Sequence, residues 1–430
     1  LTRTPDLARV AAVPEARGPL LWAFLLSLFL SQIFVRPGIA VSDLLLLGCG
    51  CSVALAAWQL RQAPDWPAWA TWLALFWAWA ILGGFLRSMR TPFGFSHLEF
   101  AKSLAKLTFY GLVAVLLAWG LRSVPWERRR ETLLTLLAAS GAFAILLYAA
   151  MLFWPRLPYD RFLPGTASTA YYFELRWFGD RSPESLLHQV FLRARGLSSE
   201  PSQLGYVQAM GLGFVWLGGR QPARFGLRVL IVLVSILLTF SLTAYGLLAA
   251  ATLLAAPRLF SRARWRPLAV AAVLVLASAF LVPPVARTLY RAVVVRTSRL
   301  LEGKGDSSSH LRLVESWSMA LRMAQDSPVL GAGLGNFEQG LAAVKQDLPD
   351  RELLGPETQG WNVLAHVLAV TGAVGFLLFL MFLAQLVPVH ARLAALFLLG
   401  CLVQGSFLAA PFWVSWVLYL EPTLKTPDPG

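Results

Sequence analysis

Apolar residues run along this chain in long blocks, separated by short polar segments and two long ones. Blocks long enough to cross a bilayer, about 17 to 25 residues, lie near residues 18–35, 38–60, 68–87, 101–121, 131–154, 203–219, 225–257, 267–285, 361–387 and 391–419. The 225–257 block is too long for one span. Ser241, Thr243 and Tyr245 near its middle predict two short helices meeting at a break, and Pro411 predicts another break in the last block. This pattern predicts an all-α polytopic membrane protein with about eleven or twelve spans. The longest polar interval carries a different rhythm. Leu313, Val314, Trp317, Leu321 and Ala324 recur at three- and four-residue steps, which predicts an amphipathic helix. Asp306 and Ser307 to Ser309 are suited to cap its start, and Asp326-Ser327-Pro328 to stop it. The glycine-punctuated run Gly331 to Gly335 follows, and the chain returns to apolar sequence at Gly360-Trp361-Asn362.

Composition makes the membrane reading firm. Of 430 residues, 57% are hydrophobic and 14% charged, against roughly 25% charged in soluble domains. Mean hydropathy is +0.61. Cys49, Cys51 and Cys401 all fall inside apolar blocks, which argues against a disulfide framework or a zinc site. The net charge of +14 raises the question of nucleic acid. Most of the excess borders the spans instead, as the positive-inside rule requires, so no nucleic-acid partner is expected. With a cytoplasmic segment at 1–17, the inner loops receive Arg61, Arg122, Arg128 to Arg130, Arg220, Arg224, Arg228, Arg258, Arg262, Arg264, Arg266 and Arg392. The organisation expected is a bundle over 18–285 with an outer loop at 155–202, a large periplasmic loop at 286–360, C-terminal spans over 361–420 and a tail at 421–430.

The outer loops should be poor in basic residues, yet Arg87, Arg90, Lys102, Lys106, Arg193, Arg195, Arg287, Arg291, Arg296, Arg299, Arg312 and Arg322 fall there. Long loops largely escape the charge rule, and any one of these arginines is explained by a nearby carboxylate or a lipid head group. As a set they suit an anion, because the guanidinium fork matches phosphate oxygens and stays charged. The turn Arg193 to Tyr206 leads from an outer loop into a span. There Pro201 suits a first helical turn. Glu200 is then either a helix-start carboxylate favoured by the dipole or a base for a sugar hydroxyl.

Asn362 and His366 are four apart on one helical face. They are either a helix staple or a functional pair, since ionisable residues within spans are functional by default. Gly372 and Gly375 allow close approach of a neighbour. The Gly331 to Gly335 run is no dinucleotide fingerprint, because no strand precedes it and its spacing is short, so it carries little weight as a phosphate cradle. Asp43 opens the second span and reads as a helix cap. No Walker lysine, HExxH or paired-aspartate motif is present, so neither a metal nor a cofactor is expected.

Taken in order, these features resemble one family. An Arg-Gly-x-Ser-x-Glu-Pro-Ser turn (195–202) precedes a span, and a broken Ser/Thr-rich span pair follows. An outer loop then carries Arg312 with Trp317, Ala320 and Leu321, a Pro328-to-Phe337 glycine turn, and a return with Asn362, Gly372 and Gly375. The chain resembles the O-antigen ligase/polymerase superfamily from about Arg195 to Gly375. The resemblance implies a GT-C-like, metal-independent, inverting glycosyltransferase of the bacterial inner membrane with its site facing the periplasm. Its donor would be an undecaprenyl-pyrophosphate-linked oligosaccharide. The acceptor would be a second such oligosaccharide in a polymerase of O-antigen or exopolysaccharide, or lipid A–core in a ligase. Membrane lipids and a chain-length co-polymerase are the further partners of such enzymes.

Carried over by motif, Arg195 and Arg312 would contact pyrophosphate, and Arg287 and Arg291 join them as pyrophosphate-binding candidates from the set of outer arginines. Glu200 or His366 would serve as base, and Asn362 and Trp317 would support the site. One departure stands out: Trp361 precedes Asn362 where many members have histidine, which favours a polymerase over a ligase. A lipid transporter would call for ionisable residues at mid-membrane and paired broken helices, and the sequence shows one clear break. A structural scaffold would not call for the outer arginines.

Overall fold

The computed structural model describes residues 14–31, 33–36, 39–59, 66–90, 94–122, 124–153, 194, 196–197, 201–217, 225–239, 241–260, 314, 316–344, 362–388 and 390–420. Helix α1 (Pro14–Leu26) is followed by a short antiparallel hairpin, Phe34–Arg36 with Ile39–Ala40. Then come α2 (Val41–Gln59), α3 (Ala68–Arg90), α4 (His97–Leu121) and α5 (Trp126–Phe153). After these lie α6 (Pro201–Leu217), α7 (Phe225–Leu238) and α8 (Leu242–Phe260). The long polar interval contributes α9 (Ser316–Asp326) and α10 (Phe337–Val344), and the chain finishes with α11 (Val363–Ala384), α12 (Ala391–Cys401) and α13 (Ala410–Leu420). The protein is thus an all-α membrane bundle, with five helices among the described residues long and apolar enough to span: α2, α3, α4, α5 and α11. The first apolar block departs from expectation, since its helix ends at Leu26 and gives way to the hairpin.

Between helices in lipid, packing and hydrogen bonds replace the hydrophobic drive. α3 lies along α11, α6 along α8, and α5 along α7, while α13 packs on α4 and α12. An aromatic core joins four of these helices through Phe76, Phe379, Phe382, Phe397, Phe412 and Trp416. Arg129 and Arg130, read from sequence as inner-loop charges, are buried. Arg130 donates through Nε and Nη2 to the Val215 carbonyl (3.1 and 2.6 Å), and Arg129 donates to the Leu121 carbonyl. Those carbonyls end α6 and α4, where the helix leaves acceptors unpaired and the dipole favours a cation.

Besides the first, three apolar blocks are interrupted among the described residues, where the sequence predicted two. The 225–257 break falls at Thr239–Ser241, between α7 and α8. The final block breaks at 402–409, ahead of Pro411, which sits in the first turn of α13, where proline is tolerated. The third break was not expected. Gly372 divides α11 with φ 66° and ψ −171°, leaving segments of roughly 14 and 18 Å. Neither covers the roughly 30 Å hydrocarbon core.

That break exposes backbone polar groups which must find partners away from water. The glycine turn after α9 supplies them. Ala332 N–H donates to Ala369 C=O (2.9 Å), Gly333 N–H to Val370 C=O (2.9 Å), and Ala373 N–H to Pro328 C=O (2.8 Å). Trp79 Nε1 on α3 donates to Thr371 C=O at 3.0 Å. The approach is so close that a Cβ on Gly331 would lie 2.6 Å from Gly372 N. Gly375 likewise makes room for Trp79.

Candidate functional site

The first half of α11 is buried on nearly every side, with Leu364 alone half-exposed. A helix covered all round is a core element, and here it opens the apolar block that follows the long polar interval. Asn362 caps it, with Oδ1 accepting from Ala365 N–H at 3.1 Å and no exposed surface. His366, one turn on, is 3% exposed. Its ring lies between Phe337 of α10 (centroids 5.1 Å) and Phe407 of the 402–409 turn (5.5 Å), and it hydrogen-bonds the Gly405 backbone.

The 402–409 turn faces this helix start. Gln404 C=O accepts from Val363 N–H at 2.9 Å. The Gln404 side chain accepts from Tyr206 OH at 2.6 Å and donates to Ser406 C=O at 3.3 Å. Ser406 Oγ accepts from Leu408 N–H (3.0 Å), and Trp413 Nε1 donates to Phe407 C=O (2.7 Å). Tyr206 lies on α6, close after its first turn, so the polar cluster joins the starts of α6 and α11. The α7–α8 break lies beside it. Ala194 N–H donates to Leu238 C=O (2.8 Å), and a Cβ on Gly205 would meet Ala244 at 2.4 Å.

From the other side, Asn336 fastens the glycine turn to the start of α4. Its Oδ1 accepts from Ser96 N–H at 2.6 Å, and Nδ2 donates to Ser96 C=O at 3.4 Å. Gly335 lies tight against this start, its Cβ position 2.2 Å from Glu99 O. The turn's Ala332 and Gly333 N–H groups are committed to α11, so they are not offered to a phosphate.

Of the predicted site residues, the structure brings Asn362 and His366 together. Trp317 lies elsewhere, edge-on to Phe376 (6.4 Å) beyond the Gly372 break, so it braces α9 against the second half of α11. Glu200, Arg195, Arg287, Arg291 and Arg312 lie outside the described residues. Asp43 behaves as the cap expected, accepting from Ala40 N–H (2.9 Å) and Tyr110 OH (2.6 Å). Of the basic residues expected on the outer side, Lys102 pairs with Glu99 at 2.6 Å, an exposed pair of little energetic weight.

Tyr206, Gln404, Ser406, Asn336 and Trp79 were not singled out from sequence. The polar triplet Gln404-Gly405-Ser406 inside an apolar block was the available signal. Residues 227–380 match a family model described as O-antigen ligase. The matched segment runs from α7 through most of α11 and does not include the Arg193 to Tyr206 turn. No curated protein matches the chain.

Proposed function

The match over residues 227–380 supports the O-antigen ligase/polymerase superfamily for this chain, and from it we propose a membrane-embedded glycosyltransferase that polymerises lipid-linked repeat units. It works at the outer face of the bacterial inner membrane. The donor is an oligosaccharide on undecaprenyl pyrophosphate, and the acceptor is a hydroxyl of a second such oligosaccharide. The observation that carries this reading is the matched segment itself. It contains the α9–glycine turn–α10 block, which is docked by backbone hydrogen bonds onto the broken helix behind Asn362.

In the reaction, the acceptor oxygen attacks the anomeric carbon in line and forms the new glycosidic bond. The bond from that carbon to the phosphate oxygen breaks with inversion, and undecaprenyl pyrophosphate departs. Arg195 and Arg312, with Arg287 and Arg291, hold the pyrophosphate and stabilise its developing charge, which is work a metal does in other transferases. The Glu200 carboxylate takes the acceptor proton. Burial of His366 between two phenyl rings, with its imidazole committed to Gly405, supports Glu200 over His366 as the base. Trp361 before Asn362 supports the polymerase.

The second reading is a ligase that moves the glycan to lipid A–core, and the description of the matching family favours it. The test is purified protein with a synthetic undecaprenyl-pyrophosphate repeat unit. A ladder of lengthening glycans is expected. Transfer only after lipid A–core is added would make it a ligase.

A further inference from the structure

Because Gly372 interrupts α11, the second half of that helix does not by itself fix the rotation of the first half, and other elements must set it. Two successive carbonyls of the 402–409 turn meet one face of its first turn. Gln404 C=O receives Val363 N–H at 2.9 Å, and Gly405 receives the imidazole of His366, three residues on. The Gln404 side chain is in turn held by Tyr206 OH at 2.6 Å, and Tyr206 also hydrogen-bonds Ser415 on α13. Tyr206, Gln404, Ser415 and His366 are all at most 6% exposed.

We infer that Tyr206, Gln404 and His366 form a buried positioning strut that sets the start of α11 against the start of α6, an inference resting on the transferase reading above. In sequence, α6 begins at Pro201, directly after Glu200, and α11 begins directly after Asn362. The strut therefore links the helices that follow both candidate segments. Apolar side chains of similar volume would fill the same space without desolvating polar groups. What a satisfied polar network adds is a single geometry: one rotation of the helix start and one orientation of the ring. His366 on this account is a positioning residue whose imidazole stays on Gly405 through the reaction, and it moves no proton.

The experiment measures the 15N imidazole spectrum of His366 in the full-length protein in nanodiscs, alongside kcat and KM for the lipid-linked donor. The variants are Tyr206→Phe and the double variant Tyr206→Phe/Gln404→Met. The double change removes both partners of the central hydrogen bond, and size-exclusion chromatography with a thermal midpoint checks folding, because Ser406 C=O and Ser415 each lose a partner. In the wild type the ring should show one neutral tautomer, fixed by Gly405. In both variants a second tautomer should appear, and kcat should fall about tenfold with KM within about twofold. A single unchanged tautomer in the double variant would overturn the strut, and so would unchanged kcat in a variant whose tautomers are mixed. If the wild type is inert toward every lipid-linked donor, the transferase reading fails, while the spectrum still decides whether Tyr206 and Gln404 orient His366.

Discussion

Replacing Gly372 by alanine should undock the glycine turn after α9 from the helix bundle. At φ 66° and ψ −171° the residue occupies a region open essentially to glycine, and a side chain there costs about 1–3 kcal/mol. The added Cβ would also fall 2.3 Å from Val329 O and 2.8 Å from Gly331 N, both backbone atoms. Relief would require the turn to retreat and would strain the Ala332–Ala369, Gly333–Val370 and Ala373–Pro328 hydrogen bonds. Each buried group left unpaired costs about 1–3 kcal/mol. Losing even one bond together with the backbone strain gives about 2–6 kcal/mol, a large share of a typical folding free energy. The assay is thermal unfolding in detergent, followed by size-exclusion chromatography, with Gly48→Ala as control. Gly48 lies in a helix with nothing within 4 Å of its Cβ position. Gly372→Ala should lower the midpoint by roughly 2–7 °C and Gly48→Ala should not. Equal midpoints for Gly372→Ala and wild type would refute the docking argument.

Three other substitutions probe separate joints. Arg130→Ala should destabilise by about 2–3 kcal/mol through loss of the fork on Val215 C=O, and Arg130→Lys should recover only part because it lacks that fork; denaturation midpoints read both. Asn336→Ala should cost about 1–3 kcal/mol by stranding Ser96 N–H, with Asn336→Asp intermediate because it keeps the acceptor. Phe337→Leu should thin the cover over His366 at a cost of about 1–2 kcal/mol. Diethyl pyrocarbonate, read by peptide mass spectrometry, should then modify His366 faster than in wild type.

What could be read from the sequence was local. The stop of α9 at Asp326, the break before Ser241 and the cap at Asp43 each rest on residues within one turn of the event. The Gly372 break was harder to read, because a glycine inside an apolar block is usual in a packed span and the partners that compensate the break come from afar. Trp79, which satisfies Thr371, is 292 positions away, and Tyr206 is 198 positions from Gln404. Arg129 and Arg130 hid their second role for a related reason. A cation that caps two helix ends and a cation that obeys the charge rule look the same in one dimension. Gly372 and Gly375 were correctly read as permitting close approach, though not that the neighbour of Gly372 would be the glycine turn itself. At the site, the Asn362–His366 pair was legible from its four-residue spacing. The turn that holds it was hidden in a block read as a span broken only by Pro411.

The most direct test of the account is polymerisation by the purified protein, using a synthetic undecaprenyl-pyrophosphate repeat unit as sole donor and acceptor. Wild type, Glu200→Gln, Arg312→Ala and His366→Gln would be compared on a gel. The account predicts a glycan ladder from wild type, none from Glu200→Gln or Arg312→Ala, and a weakened ladder from His366→Gln. A full ladder from Glu200→Gln, with none from His366→Gln, would contradict it and make His366 the base.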